Sequence, residues 1–274
     1  MKSLDSAVVA ITGAGSGLGR GLALECARRG ARVAVSDIDT AGLAQTVQSA
    51  ADEGLGSLHA QRLDVTDREA VRSWAAQVRG EFGAVNAIIN NAGVSYSGPI
   101  TEIEYDDFEW LMNINFWGVV YGTKEFLPHL IESGRGHIVN ISSLFGLVAM
   151  PGQSTYNAAK FAVRGFTESV RQDMLVAGLP VAVTCVHPGG IKTGIARNGR
   201  STRPEEHAAT AALFDEQLAR LTPQQAATIV IDGMLREAPR VLVGADARLV
   251  HSIGTVLGAR YQDLYATIAR RRLP

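Results

Sequence analysis

The sequence predicts an α/β protein: an open, doubly wound, mostly parallel sheet of about seven strands, flanked by helices on both faces. Three observations predict it. Short apolar runs alternate with longer segments of helical period. The runs are apolar without strict alternation, which suits strands buried on both faces. Strand–helix–strand order calls for right-handed crossovers, and those make neighbouring strands parallel.

The elements follow in order. Ala7–Thr12 reads as a strand, and Leu18–Gly30 as a helix that stops at glycine. Arg32–Ser36 is a second strand and Thr40–Gly54 a second helix. Leu58–Leu63 is a third strand, with a helix from about Arg68 to Phe82 behind it. Val85–Asn90 is a fourth strand, and Tyr105–Ser133 a long helical region whose breaks the period does not locate. His137–Ile141 is a fifth strand, Ser154–Ala177 a helix, and Val181–Val186 a sixth strand. After a long loop and a further helix come Arg240–Val243 and a helical extension over about 245–274. No Pro/Ser-rich linker or charge run divides the chain, so residues 1–274 read as one domain. In such sheets ligands sit outside the carboxyl ends of the strands. The motifs below fall at those ends.

Bulk properties exclude other classes. With 26 Lys and Arg against 27 Asp and Glu the net charge is −1, which gives no pull toward nucleic acid. No stretch of about 18 apolar residues is present to span a membrane, and no secretory leader is visible. The six histidines lack metal-ligand spacing. Cys26 and Cys185 read as a buried, reduced pair, consistent with a cytoplasmic protein.

The first strand runs into Thr12-Gly13-Ala14-Gly15-Ser16-Gly17-Leu18-Gly19 and then a helix. Gly13 permits the tight turn, Gly17 close approach of a pyrophosphate, and Gly19 close packing of helix on strand. The helix N-terminus offers free N–H groups and partial positive charge to phosphates. No Gly-Lys-Ser/Thr follows, which disfavours an ATP-binding loop. Asp37 closes the second strand, where a carboxylate can accept both adenosine ribose hydroxyls and repel a 2′-phosphate. Ile38 and Asp39 follow without a compensating cation, so NAD is favoured over NADP, although Arg20 and Arg32 are cations that could admit a phosphate. The alternative is that Asp37 simply starts a turn. Asp64-Val65 ends the third strand, where Asp64 either binds the adenine amino group or helps start the next helix near Thr66.

Tyr156 and Lys160 stand at i and i+4 near the start of a helix, on one face. A free phenol with a pKa of about 10 is a poor base at neutral pH. An adjacent ammonium, with a positive nicotinamide ring, favours phenolate, so Tyr156 is expected to become acidic enough to exchange a proton with an alcohol oxygen. Ser143 ends the fifth strand and can hydrogen-bond the same oxygen. No Gly-x-Ser-x-Gly elbow surrounds it, which disfavours a serine hydrolase.

With these residues in view, the sequence resembles the short-chain dehydrogenase/reductase family. The resemblance rests on TGAGSGLG at Thr12–Gly19, NNAG at Asn90–Gly93, MNINFWG at Met112–Gly118, Ser143, YNAAK at Tyr156–Lys160 and PGGIKT at Pro188–Thr193. It implies a Rossmann-type single domain and a Ser-Tyr-Lys catalytic group. Asn115 matches a fourth catalytic position, where an asparagine helps hold a water behind the lysine. Asn91, Ala92 and Gly93 match the segment passing the cofactor ribose, with a structural role for Asn91 as the alternative. Lys160 would also reach the nicotinamide ribose. Pro188, Gly189, Ile191 and Thr193 match the segment that holds the nicotinamide carboxamide. A homodimer or homotetramer through the Tyr105–Ser133 and Ser154–Ala177 helices is implied as well.

The substrate pocket is expected between the segments after Gly93, Ser143 and Gly190. Val94, Tyr96, Leu144, Phe145, Met150 and Gln153 are candidate lining residues, with core packing as the alternative for several. A lid is expected over about 190–220, its Arg197, Arg200 and Arg203 either solvated or facing an anion. The extension places Leu249 to Ile268 in one apolar stripe on a helix. That stripe fits docking on the body or a sister subunit better than a membrane surface. The expected function is NAD-dependent interconversion of a lipophilic secondary alcohol and its ketone. Alternatives are a 3-oxoacyl-thioester reductase, against which Asp37 argues, and a non-catalytic nicotinamide-binding regulator, against which Tyr156 and Lys160 argue.

Overall fold

Val8–Thr12 is buried at every position, so it belongs in the middle of a covered sheet and not at its edge. In the computed structural model, which describes residues 1–205 and 220–270, it does. It is β1, followed by β2 (Arg32–Asp37), β3 (His59–Arg62), β4 (Ala87–Asn90), β5 (Tyr96–Ser97), β6 (Gly136–Ile141), β7 (Val181–Pro188), β8 (Arg200–Ser201) and β9 (Arg240–Val243). Seven of these form one sheet in the order β3-β2-β1-β4-β6-β7-β9, with every neighbouring pair parallel. The order reverses direction between β1 and β4, which opens a crevice there at the carboxyl edge.

The helices are α1 (Gly17–Arg28), α2 (Thr40–Asp52), α3 (Arg68–Phe82), α4 (Tyr105–Met112), α5 (Gly118–Glu132), α6 (Ser154–Val176), α7 (Pro223–Leu235), α8 (Ala245–Leu257) and α9 (Tyr261–Arg270). Strand side chains alternate between two core layers. Val9 and Ile11 pack with Leu22 of α1 and Ile231 and Met234 of α7. Val8 and Ala10 pack with Trp74 of α3, Phe126 of α5 and Met174 of α6. Trp74 and Phe126 meet edge to face with centroids 5.1 Å apart. Each such fully buried large side chain contributes about 2 kcal/mol by its removal from water.

The break left open within the helical region Tyr105–Ser133 is a wide π turn, Asn113–Trp117, which joins α4 to α5. Two further features differ from the sequence reading. The expected single C-terminal helix is two. The backbone at Gly258 turns left-handed at φ 55°, and a 3₁₀ turn over Gly258–Arg260 redirects the chain. The extension docks through Tyr261, whose hydroxyl accepts from Ala149 N at 2.9 Å. Leu249, Val256, Leu257, Leu264 and Ile268 stay exposed. Finally, β5 and β8 pair parallel in a small sheet of their own, too short for any period to announce. Among the described residues no helix is long and apolar enough to cross a membrane.

Candidate active site

The glycine turn lies at the carboxyl end of β1. Gly13 has φ 66°, and a Cβ there would lie 2.7 Å from Ala92 Cα. A Cβ on Gly19 would lie 1.9 Å from the Gly13 carbonyl oxygen, so α1 can approach the strand only without one. The α1 N-terminus has no side-chain cap and no acidic residue in its first turn, and Ser16 precedes it in extended conformation. Its donors are therefore available to an anion. Leu18, by contrast, is buried beneath the turn.

Asp37 faces this turn. Its Oδ2 accepts from Gly15 N at 2.8 Å and its Oδ1 from Asp39 N at 2.9 Å. A carboxylate has about four acceptor sites, so hydroxyl donors can still be received. The neighbouring Ile38 is 56% exposed, free to lie against a flat ring. Arg20 turns under the loop to Gly15 O, Thr46 and Gln45. Arg32 sits at the opposite edge of the sheet, over the Phe82 ring. Neither cation compensates Asp37. Asp64 Oδ1 accepts from Thr66 N and Oγ1, while the cap of α3 is Asp67. Val65 beside it packs against Gly118.

Beyond β4, Asn91 is a staple. Its N–H donates to Thr12 Oγ1, and its side-chain amide donates to the carbonyls of Thr12 and Gly13, all at 3.0 Å. Ala92 N also donates to Thr12 Oγ1, at 3.1 Å. Thr12, which the sequence reading placed in the glycine motif without a role of its own, binds β1 to β4 at the crevice. Asn115, fully buried in the π turn, accepts from Val94 N and donates to Val94 O, each at 2.8 Å. A Cβ on Gly93 would meet Asn115 Oδ1 at 3.1 Å and Lys160 Nζ at 3.6 Å.

Tyr156 and Lys160 share the inward face of α6. The Lys160 nitrogen lies 5.5 Å from the Tyr156 ring centroid and donates to Ile141 O at 3.1 Å. Burial pushes the Lys160 ammonium down to about 8. Desolvation pushes the Tyr156 phenol up to about 12 without the nicotinamide charge, and the Ser143 hydroxyl, hydrogen-bonded to it, pulls the other way. The protein's own groups therefore do not make the phenol acidic. Ser143 Oγ also accepts from Phe145 N at 3.1 Å, and Ser142 Oγ ties the same strand end to Lys160 O at 2.8 Å. His187 is a further residue the sequence reading missed. Its Nδ1 lies 2.9 Å from Ser143 O, and burial holds the ring down at about 4, so Nδ1–H donates from a neutral imidazole.

The Pro188–Thr193 segment crosses toward the glycine turn, where a Cβ on Gly17 would meet Thr193 Cγ2 at 3.1 Å. Gly189 N donates to Val243 O at 2.9 Å, and Ile191 bridges to Leu221. On the substrate side, Phe145 stands edge to face with Tyr156 at 6.0 Å. Val94 and Tyr156 pack on a small buried cluster that includes Tyr96. Tyr96 is 3% exposed and its hydroxyl donates to Asp107 at 3.0 Å. Leu144 and Gln153 are partly exposed beside Ser143 and Tyr156 in the chain. Met150 instead lines a groove of about 430 Å³ with Ile100, Asn157 and Phe161, on the α6 face opposite Tyr156. Arg200 and Arg203 are committed to Asp107 and Glu102. The middle of the expected lid, 206–219, and the chain end, 271–274, lie outside the described residues. Among the described residues no group of three or more His, Cys, Asp or Glu is placed to hold a metal ion.

A parallel sheet with an uncapped helix and glycine turn at its switch point, a serine, tyrosine and lysine beside it and, among the described residues, no cationic partner for Asp37 defines a nucleotide-binding oxidoreductase. The chain belongs to the short chain dehydrogenase family, whose model matches residues 7–204. It is 51% identical over 275 residues to SadH of Mycobacterium tuberculosis, described as an oxidoreductase, covering 100% of this chain and 99% of that one. It is 36% identical over 239 residues to epidermal retinol dehydrogenase 2 of Mus musculus, covering 86% and 73%. A short chain dehydrogenase/reductase from Burkholderia phymatum, solved in complex with NAD, superposes with a TM-score of 0.83 at 30% identity, covering 93% and 96%.

Proposed function

We propose that the chain interconverts a lipophilic secondary alcohol and its ketone with NAD. The observation that carries this reading is the convergence of Ser143, Tyr156 and Lys160 at the carboxyl edge, beside the glycine turn. The residues fit the dinucleotide: the uncapped α1 N-terminus suits a pyrophosphate, and Asp37 suits a ribose diol while repelling a 2′-phosphate. When bound, the nicotinamide supplies the hydride acceptor or donor and a positive ring that favours phenolate at Tyr156.

The protein groups do the rest. Ser143 Oγ binds the substrate oxygen and steadies its developing charge. The Tyr156 phenol exchanges a proton with that oxygen. Lys160, held by Ile141 O with its nitrogen 5.5 Å from the Tyr156 ring centroid, is placed to reach the ribose hydroxyls and, together with the nicotinamide charge, to offset the burial that raises the phenol. Asn115 spends one donor and one acceptor of its side-chain amide on Val94, which fixes it beside the exit of β4 and leaves its second N–H and second lone pair for a water behind Lys160. Apolar Val94, Leu144 and Phe145 favour a lipophilic substrate, as does the resemblance to a protein named a retinol dehydrogenase. Assembly as a homodimer or homotetramer through α4, α5 and α6 is part of this reading, since Tyr105, Trp117 and Phe161 are exposed there.

A screen of secondary alcohols and ketones with NAD and NADP tests it. Turnover of apolar substrates with NAD is expected. Strong preference for NADP overturns the role of Asp37, and no turnover with either overturns the reaction class.

A further inference from the structure

The family match ends at residue 204, yet one side chain far beyond it reaches the site. β9 leaves the sheet through Gly244, whose φ of 105° lets the chain turn directly into α8. The second residue of that helix is Asp246. Its Oδ2 accepts from Gly190 N at 2.6 Å, a short, charge-assisted bond. A Cβ on Gly189 would lie 2.2 Å from the same oxygen, so the carboxylate rests directly on the backbone of the Pro188–Thr193 segment.

The rest of that segment is held by backbone. Gly189 N donates to Val243 O, Lys192 N to Leu221 O, and Gly190 O accepts from Arg220 N and Leu221 N. Asp246 is the side-chain clamp among these holds. A trans peptide points its N–H and C=O in opposite directions. Fixing Gly190 N–H on Asp246 therefore turns the Gly189 carbonyl away from α8. Among the described residues neither that carbonyl nor the Ile191 N–H has a hydrogen-bond partner. One acceptor and one donor, left open two residues apart on a rigid strand end, match the donor and acceptor of a primary carboxamide.

We propose that Asp246 is a positioning residue that presets this segment for the nicotinamide carboxamide. The proposal rests on the nicotinamide reading of the site given above. Asp246 touches neither cofactor nor substrate. It acts through the orientation of one peptide plane, and so contributes to binding of the nicotinamide end and not of the adenosine end.

The test compares NADH and ADP-ribose, which lacks the nicotinamide, as ligands of the wild type, Asp246→Ser and Asp246→Asn. Affinities come from titration calorimetry. Amide hydrogen exchange over 188–193 is followed without ligand. Asp246→Ser is expected to weaken NADH about tenfold, from the loss of a hydrogen bond to a charged group. It is expected to leave ADP-ribose within about twofold and to speed exchange at the Gly190 amide. Asp246→Asn keeps an acceptor at the same reach and is expected to recover NADH binding to within about threefold. Should Asp246→Ser not fold, Asp246→Glu displaces the carboxylate by one methylene and is read the same way. Unchanged NADH affinity with unchanged exchange overturns the proposal, as does equal loss for both ligands, which marks a purely structural role. A wild type that binds ADP-ribose but gains nothing from the nicotinamide overturns the reading of the segment itself, and the proposal with it.

Discussion

The two halves of the site are built from different materials. The half proposed for the dinucleotide turns on backbone groups: Gly15 N donates to the Asp37 carboxylate, the Thr12 and Gly13 carbonyls accept from the Asn91 amide, and α1 leaves its first N–H groups open. The half proposed for the substrate is made of side chains from separate segments, with Val94 after β4, Phe145 after β6 and Tyr156 on α6. Backbone geometry can be demanded only by a few residue types, and those are fixed in sequence. A wall of side chains can be assembled from many. The difference teaches where substitutions should hurt: the first half is expected to tolerate few, while the second is expected to accept more and to change specificity when it does.

The largest effect should separate chemistry from binding. Tyr156→Phe is expected to lower kcat about a thousandfold, the range of positioned proton transfer, with NAD affinity within about threefold. Stopped-flow and binding titrations measure the two, and wild-type turnover removes Tyr156 from the mechanism. Next comes the backbone half. Gly19→Ala puts a methyl 1.9 Å from Gly13 O and is expected to cost about 3 kcal/mol or to prevent folding. Gly165, in α6 with open space around it, is the control, and Gly165→Ala is expected to stabilise by about 1 kcal/mol. If both glycines respond alike in urea denaturation, the contrast between the halves fails.

Lys160 gives an effect of intermediate size. Its folded value of about 8 lies below the ordinary 10.5, so the unfolded chain binds more protons between those values. Holding the charge inside then costs about 3 kcal/mol at pH 7, and that cost fades as pH rises through 8 toward 10.5. Lys160→Met also loses the bond to Ile141 O, worth about 1 kcal/mol. The variant is therefore expected to be inactive yet about 2 kcal/mol more stable at pH 7, with a smaller gain at pH 9.5. A gain that grows with pH contradicts the buried charge. Smaller again, Asp37→Ser is expected to weaken NAD about tenfold while admitting NADP, read from the ratio of their kcat/KM values.

Legibility in the sequence followed the same division. Gly13, Gly17, Gly19 and the buried runs at Val8–Thr12 and Ile138–Ile141 carry their reasons locally, and the covered parallel sheet followed from the runs, though the order of its strands did not. Tyr156 and Lys160 were legible because one helical turn sets their relation. What stayed hidden depends on distance in sequence. His187 reaches Ser143 across 44 positions and Asp246 reaches Gly190 across 56, and neither leaves a periodic trace. The raised Tyr156 phenol was missed for another reason. Spacing reveals a neighbouring ammonium, but desolvation depends on everything packed around the ring.

The π turn at Asn113–Trp117 carries a last consequence. A π turn holds one more residue than an α turn. Removing a single codon there would let the helix close up without disturbing the phase of α4 or α5 against the body. Asn115 would swing off Val94, and the strand-four exit would lose its clasp. Of all one-residue deletions inside a helix of this chain, this is the one expected to yield a well-folded protein that has lost its reaction.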